Sequence, residues 1–298
     1  MTFGNLGGAD TPQSHSVIAR RRPATWVGAA FLTVLAAMAV NTLLTNPRFE
    51  WATVASYMFD PAVLAGLWRT VQLTALCMLV AVSLGLIIGA MRLSANPLLA
   101  GASWFYVWGF RGTPVLVQLI FWFNLAALYP TLSLGIPFGP DFVSGSSNAL
   151  INPFTAAVLG LGLNEAAYMA EIVRAGISSV DNGQREAAAS LGMTNGKSFR
   201  RIILPQAMRV IIPPTGNETI SMLKYTSLVS VIALPELLYS TQIIASRTFE
   251  VIPLLIVASL WYLVATSVLM VGQRQVERRF SSGVAVRNTR GVMGGAKG

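Results

Sequence analysis

Residues 70–91 read TVQLTALCMLVAVSLGLIIGAM, an uncharged run closed by Arg69 at one end and Arg92 at the other. An α-helix rises 1.5 Å per residue, so about 20 apolar residues cross the roughly 30 Å hydrocarbon core of a bilayer. In water this run would expose apolar side chains on every face, whereas lipid accepts all of them. Ser83, Gly85 and Gly89 lie along it, and such small residues let a neighbouring helix approach closely.

Five further apolar segments surround this one, at residues 26–44, 115–128, 154–172, 210–234 and 252–271. Of the 298 residues 54% are hydrophobic and 11% charged, with a mean hydropathy of +0.60, which excludes a soluble enzyme and a disordered chain. The expectation is an all-α membrane protein, a helical bundle of about six transmembrane helices. Its boundaries read as a leader at 1–25, an N-terminal anchor at 26–45, a membrane domain at 65–272 and a basic tail at 273–298. Arg20, Arg21 and Arg22 ahead of an apolar run, with Ala37-Met38-Ala39 inside it, also fit a cleaved signal peptide, but the run is long for that role.

Lysine and arginine total 21 against 12 acidic residues. A net charge of +9 could suit nucleic acid, but its distribution favours a membrane topology and no nucleic-acid partner. With the N-terminus inside, Arg20–Arg22, Arg92, Arg111, the polar stretch 173–209 and Arg274, Arg278, Arg279, Arg287, Arg290 and Lys297 all become cytoplasmic. Arg48, Arg69 and Arg247 remain outside. Trp104, Tyr106 and Trp108 read as an interfacial belt. The Pro- and Gly-containing segment 129–152 reads as a loop. One cysteine, Cys77, and one histidine, His15, leave almost no material for a disulfide, a metal site or a Ser–His or Cys–His pair, so no catalytic residue and no metal is expected.

The stretch 173–209 is the chain's long polar interruption. Within it, Glu186-Ala187-Ala188-Ala189-Ser190-Leu191-Gly192 is a run of helix formers stopped by a glycine able to take a left-handed backbone. Thr194 or Asn195 can cap a second short helix carrying Lys197, Arg200 and Arg201, and Pro205 should end or redirect it. Gly192 to Ser198 imitates a phosphate-binding loop, but has three residues between the glycines where that motif needs four, and no strand precedes it.

The spacing of Glu186, Ala187, Ala188, Gly192, Ile202, Leu204 and Pro205 resembles the cytoplasmic EAA loop of ATP-binding-cassette importer permeases. Arg111-Gly112-Thr113-Pro114, Ala167-Tyr168 with Glu171 and Arg174, Gly183-Gln184, Pro205-Gln206-Ala207, and Lys224 followed by Thr226-Ser227-Leu228 resemble the polar-amino-acid branch of that family. Tyr225 departs from it, since the family often has an acidic residue there. The resemblance covers roughly residues 65–280 and implies a five-helix permease core preceded by one extra helix. It further implies an inner-membrane location and a loop docked as a coupling helix into a cytoplasmic ATPase dimer. ATP and magnesium would be held by that ATPase and no cofactor by this chain. A second permease subunit, the same or homologous, and a periplasmic or extracellular amino-acid-binding protein would complete the importer.

A charge at a membrane helix centre costs about 2.5 to 3.5 kcal/mol on insertion scales, so Glu165, Glu218 and Lys224 need partners or water. Helical spacing sets Asn164, Tyr168 and Glu171 on one face and Asn217, Ser221 and Lys224 on another, with Glu165 and Glu218 turned away by about 100°. Two readings stand side by side: a substrate path in which the carboxylates face an amino acid's ammonium and Lys224 its carboxylate, and internal Glu–Lys pairing that holds the bundle together. Glu171, close to Arg174, reads as structural. Pro213, Pro214 and Gly216 should break the fifth helix and expose carbonyls to a cavity or gate. A channel or ion-driven carrier, or an intramembrane enzyme using Glu165 or Glu218, would lack a use for the coupling loop.

Overall fold

The computed structural model describes residues 23–136 and 139–281, so most of the expected leader, with His15, and most of the basic tail lie outside the described residues. The chain divides at Phe49. In the first unit, α1 (Pro23–Thr45) is followed by a 3-10 turn at Pro47–Phe49, and Trp26–Thr45 is long and apolar enough to cross a membrane.

The second unit opens with α2 (Trp51–Tyr57). Asp60 then accepts a hydrogen bond from the Ala62 amide at 2.8 Å and starts α3 (Pro61–Arg92), with Pro61 in a first turn that needs no N–H donor. At 32 residues and about 48 Å, α3 is longer than the expected span and takes in Arg69. Asn96 caps α4 (Pro97–Gly112), which is followed by α5 (Val115–Phe123). The segment expected as the third span is therefore 9 helical residues and a 3-10 turn at Leu125–Ala127, too short to cross as one helix. The cause is Pro114: it holds Thr113 extended, at φ −118° and ψ 145°, and parts α5 from α4.

Residues 129–152 are not an irregular loop. β1 (Thr131–Gly135) and β2 (Asp141–Ser146) pair antiparallel, Leu134 opposite Val143, with a bulge at Leu134/Gly135, and the short α6 (Ser147–Leu150) follows. Asn152 caps α7 (Pro153–Ser178), the most enclosed of the long helices, with 67% of its most apolar window buried. It packs along α3, where Gly85 meets Met169 and a methyl on Gly89 would come within 3.0 Å of Ala170 O. Ser83, expected to share that seam, is exposed.

Beyond α7 come α8 (Asn182–Ser190), α9 (Asn195–Ser198), a π-helical turn at Phe199–Ile203 and α10 (Leu204–Tyr225). The expected break at Pro213, Pro214 and Gly216 does not occur, because α10 runs through all three. Each proline removes one N–H yet fixes φ near the helical value. Gln273 lies against Gly216 and donates to Pro213 O at 3.3 Å. The break comes later: a 3-10 turn at Thr226–Ile232 ends on Ala233 at φ 58°, and α11 (Leu237–Thr248) leaves at a 44° bend. α12 (Val251–Ser281) then runs past Gln273 to Ser281. The described residues thus hold four helices able to cross a membrane, and a fifth span if the bent pair counts as one.

Candidate functional site: a coupling loop and an intramembrane cavity

The loop begins where Asp181 accepts from the Gly183 amide at 2.7 Å and starts α8. It turns at Gly192, whose φ of +70° is the left-handed conformation expected there. Gly192 N donates to Ala189 O at 2.9 Å and Met193 N to Ala188 O at 3.0 Å, the paired bonds that close a helix on a left-handed residue. Thr194 holds the cap position of α9 without donating or accepting a side-chain capping bond. Pro205 opens α10 and does not end a helix; the π turn before it absorbs the register change.

Glu186 and Ala187 are exposed on α8, where a partner can reach them. Ala188 is not, being wholly buried against its own chain. Ile202 and Leu204 are half-buried, while Ile203 packs with Val180, Ala207 and Ile211 and roots the loop on α7 and α10. Arg185 adds a bond to Ile177 O at 3.2 Å. The loop is thus anchored to the bundle through Ile203 and leaves the Glu186 carboxylate exposed.

Inside the bundle, Glu165 is 2% exposed and its Oε1 has no hydrogen-bond partner. With Asn164, Tyr168, Glu218, Ser221 and Arg111 it lines a cavity of about 550 Å³ between α5, α7 and α10. Glu218 feels the charge of Arg111, and Glu165 that of Glu218. The cation of this cavity is thus Arg111, which charge counting had assigned to a cytoplasmic loop. Its place in the Arg-Gly-Thr-Pro run between two apolar segments was the available signal.

Lys224 faces elsewhere. Together with Asn217 and Ser221 it lines a separate groove of about 610 Å³ against Gln273 and Arg274 of α12, and Gln273 Nε2 donates to Asn217 Oδ1 at 2.9 Å. Only Ser221 belongs to both hollows. Among the described residues no ion pair joins Lys224 to Glu165 or Glu218, so the internal-pairing reading finds no contact. Pairing does occur at Glu171, which binds Arg174 at 2.9 Å and Arg92 at 3.7 Å, holding α7 to the end of α3.

Asn164 donates to Phe110 O at 2.9 Å and to Gln118 Oε1 at 3.2 Å, and Gln118 Nε2 donates to Phe110 O, Thr113 O and Thr113 Oγ1 at 2.7–3.1 Å. These amides take up backbone carbonyls left open where α4 stops at Gly112. Gln118 escaped sequence reading because it sits in an apolar run.

The family described as "Binding-protein-dependent transport system inner membrane component" matches residues 81–282. The arginine transport system permease protein ArgU of Corynebacterium glutamicum is 49% identical over 280 residues, 93% of this chain and 87% of that protein. The L-cystine transport system permease protein TcyB of Bacillus subtilis is 36% identical over 256 residues, 86% and 99% of the two chains. Among solved structures, an amino acid ABC transporter crystallised with histidines is 37% identical with a TM-score of 0.64, covering 76% of this chain and 97% of that one. The inward-facing MetNI methionine ABC transporter, at 16% identity and a TM-score of 0.60, shares the fold across 74% of this chain and 96% of its own. With the matched region, the helical membrane bundle and the loop turning at Gly192 all in agreement, the chain belongs to the family of inner-membrane components of binding-protein-dependent transport systems, as a multi-pass permease that hydrolyses no ATP itself.

Proposed function

We propose that this chain forms the path for a polar amino acid in an ATP-driven importer. An external binding protein delivers the solute on the side of the β1–β2 hairpin. A pair of ABC ATPases, holding ATP and magnesium, grips the loop on the other side. α7 separates hairpin from loop by 26 residues, about 39 Å, enough to put them on opposite faces of a bilayer. The loop side is then the cytoplasm of a cell whose inner membrane holds the protein, with both termini there, and a second permease subunit completes the path.

One observation carries the reading: the turn at Gly192, closed by two backbone bonds and rooted through Ile203, presents Glu186 outward. In the cavity, Arg111 and the free amides at the start of α5 suit the substrate's carboxylate, while Glu165 and Glu218 suit its ammonium. Two carboxyl groups against one guanidinium leave an acceptor over, which suits a side chain carrying a second donor group. The name of the relative ArgU agrees with that preference. Uptake of labelled arginine, lysine, glutamine and glutamate into vesicles holding the assembled transporter tests it. Uptake should require ATP and rank the two cationic amino acids first; ATP-independent uptake, or none of any amino acid, would overturn the reading.

A further inference from the structure

Beyond the cavity around Glu165 lies a second hollow of about 450 Å³, lined by Glu171, Arg174, Ala175, Val210 and Pro214. The two hollows share three residues, Arg111, Tyr168 and Glu218. Their order along the helices is consistent. On α7 the first cavity takes Asn164 and Glu165, then comes Tyr168, then the second takes Glu171 to Ala175 towards the coupling loop. On α10, which runs the other way, the second takes Val210 and Pro214, then comes Glu218, then the first takes Ser221 and Tyr225. The shared residues thus form a waist between two vestibules. Arg111 stretches across it, with Cζ 4.9 Å from the centre of the Tyr168 ring.

We infer that Arg111 lying over Tyr168 is a gate between the cavity around Glu165 and the vestibule that opens towards the coupling loop, carried on the elbow that Gln118 and Asn164 clamp. This rests on the transport reading above. Arg111 is three residues before Pro114, at the end of α4, and therefore rides on the elbow more than on either long helix. The four bonds from Gln118 and Asn164 to Phe110 and Thr113 fix that elbow in the shut position. A ring face holds a guanidinium less tightly than a carboxylate does, since a carboxylate offers a bidentate charge-assisted pair. A substrate carboxylate in the cavity around Glu165 therefore competes with the Tyr168 ring and with Glu218 for Arg111, linking release of the gate to occupancy.

The test places single cysteines at Val115, which lines only the upper cavity, and Ala175, which lines only the lower one. Cys77 is buried and supplies the background rate. A charged, membrane-impermeant methanethiosulfonate reagent is added to the loop side of inside-out vesicles holding the assembled transporter without ATP. Ala175→Cys should label and Val115→Cys should stay protected. Adding Tyr168→Ala, or separately Arg111→Gln, should speed labelling of Val115→Cys at least tenfold and that of Ala175→Cys less than twofold, while Tyr168→Phe, which keeps the ring, preserves protection. Equal labelling of Val115→Cys with and without Tyr168 overturns the gate and leaves the transport reading standing. Labelling of Ala175→Cys solely from the hairpin side overturns the transport orientation, and the gate with it.

Discussion

Tyr262 donates its hydroxyl hydrogen to Glu236 Oε2 at 2.8 Å, so α12 holds the bend between α10 and α11 through a wholly buried carboxylate. Glu236 also accepts from the Leu238 and Tyr239 amides at 3.0 and 2.8 Å and from the Thr70 hydroxyl of α3 at 3.3 Å. Glu236→Ala would strand these donors, at about 1–3 kcal/mol for each buried group left unsatisfied, so it should lower the permease's melting temperature in detergent strongly. Glu236→Gln keeps one acceptor oxygen and should fall between. Melting of Glu236→Ala at the wild-type temperature would show that the junction does not hold the bend.

Gly192→Val forces a β-branched residue into a left-handed backbone, at a cost of roughly 1–2 kcal/mol that the loop alone bears. Membrane insertion should be normal and ATP-driven uptake should fall sharply. Glu186→Arg should reduce copurification of the ATPase without altering the permease's own melting. Normal uptake by both variants would remove the loop from the coupling mechanism.

Glu171 and Glu165 are both acidic residues of α7, yet they should fail differently. Glu171→Gln leaves Arg92 and Arg174 without their carboxylate, and breaking pairs this exposed costs about 1 kcal/mol. Yield and melting temperature should drop, and transport per folded molecule should fall far less than for Glu165→Gln. Glu165→Gln should be produced normally and lose uptake. Quantifying folded protein by gel filtration beside uptake separates the two, and matching behaviour would contradict the assignment.

Arg111→Gln should raise the KM for uptake about 10- to 100-fold, the equivalent of losing one charge-assisted contact. Lys224→Gln, in the other groove, should change KM by less than about threefold on the same scale. The reverse order would return the substrate carboxylate to Lys224.

Apolar runs announced the long helices because lipid contact demands uncharged stretches, and Gly192 announced its turn because a positive φ demands glycine. Continuity was less visible. Residues 115–128 are as apolar as any span, yet Pro114 detaches them, while Pro213 and Pro214 leave α10 whole because their fixed φ already suits a helix. The hairpin was signalled by the alternation Thr131-Leu132-Ser133-Leu134, which the Pro and Gly content of the segment masked. Helical spacing placed Asn164 beside Tyr168 and Asn217 beside Lys224 correctly, but which face meets which neighbour depends on packing. That is why Arg111 displaced Lys224 in the cavity.

Because α10 is unbroken from Leu204 to Tyr225, its foot at the loop and its upper residues in the cavity belong to one helix. Ser221 stands 17 residues, about 25 Å, above that foot, so a 10° tilt imposed at the base sweeps it sideways by about 4 Å. A displacement of that size exceeds a hydrogen bond's reach. A small stroke in the motor can therefore unseat a bound solute through a single helix, in which Pro213 and Pro214 each omit one backbone hydrogen bond and mark where it flexes.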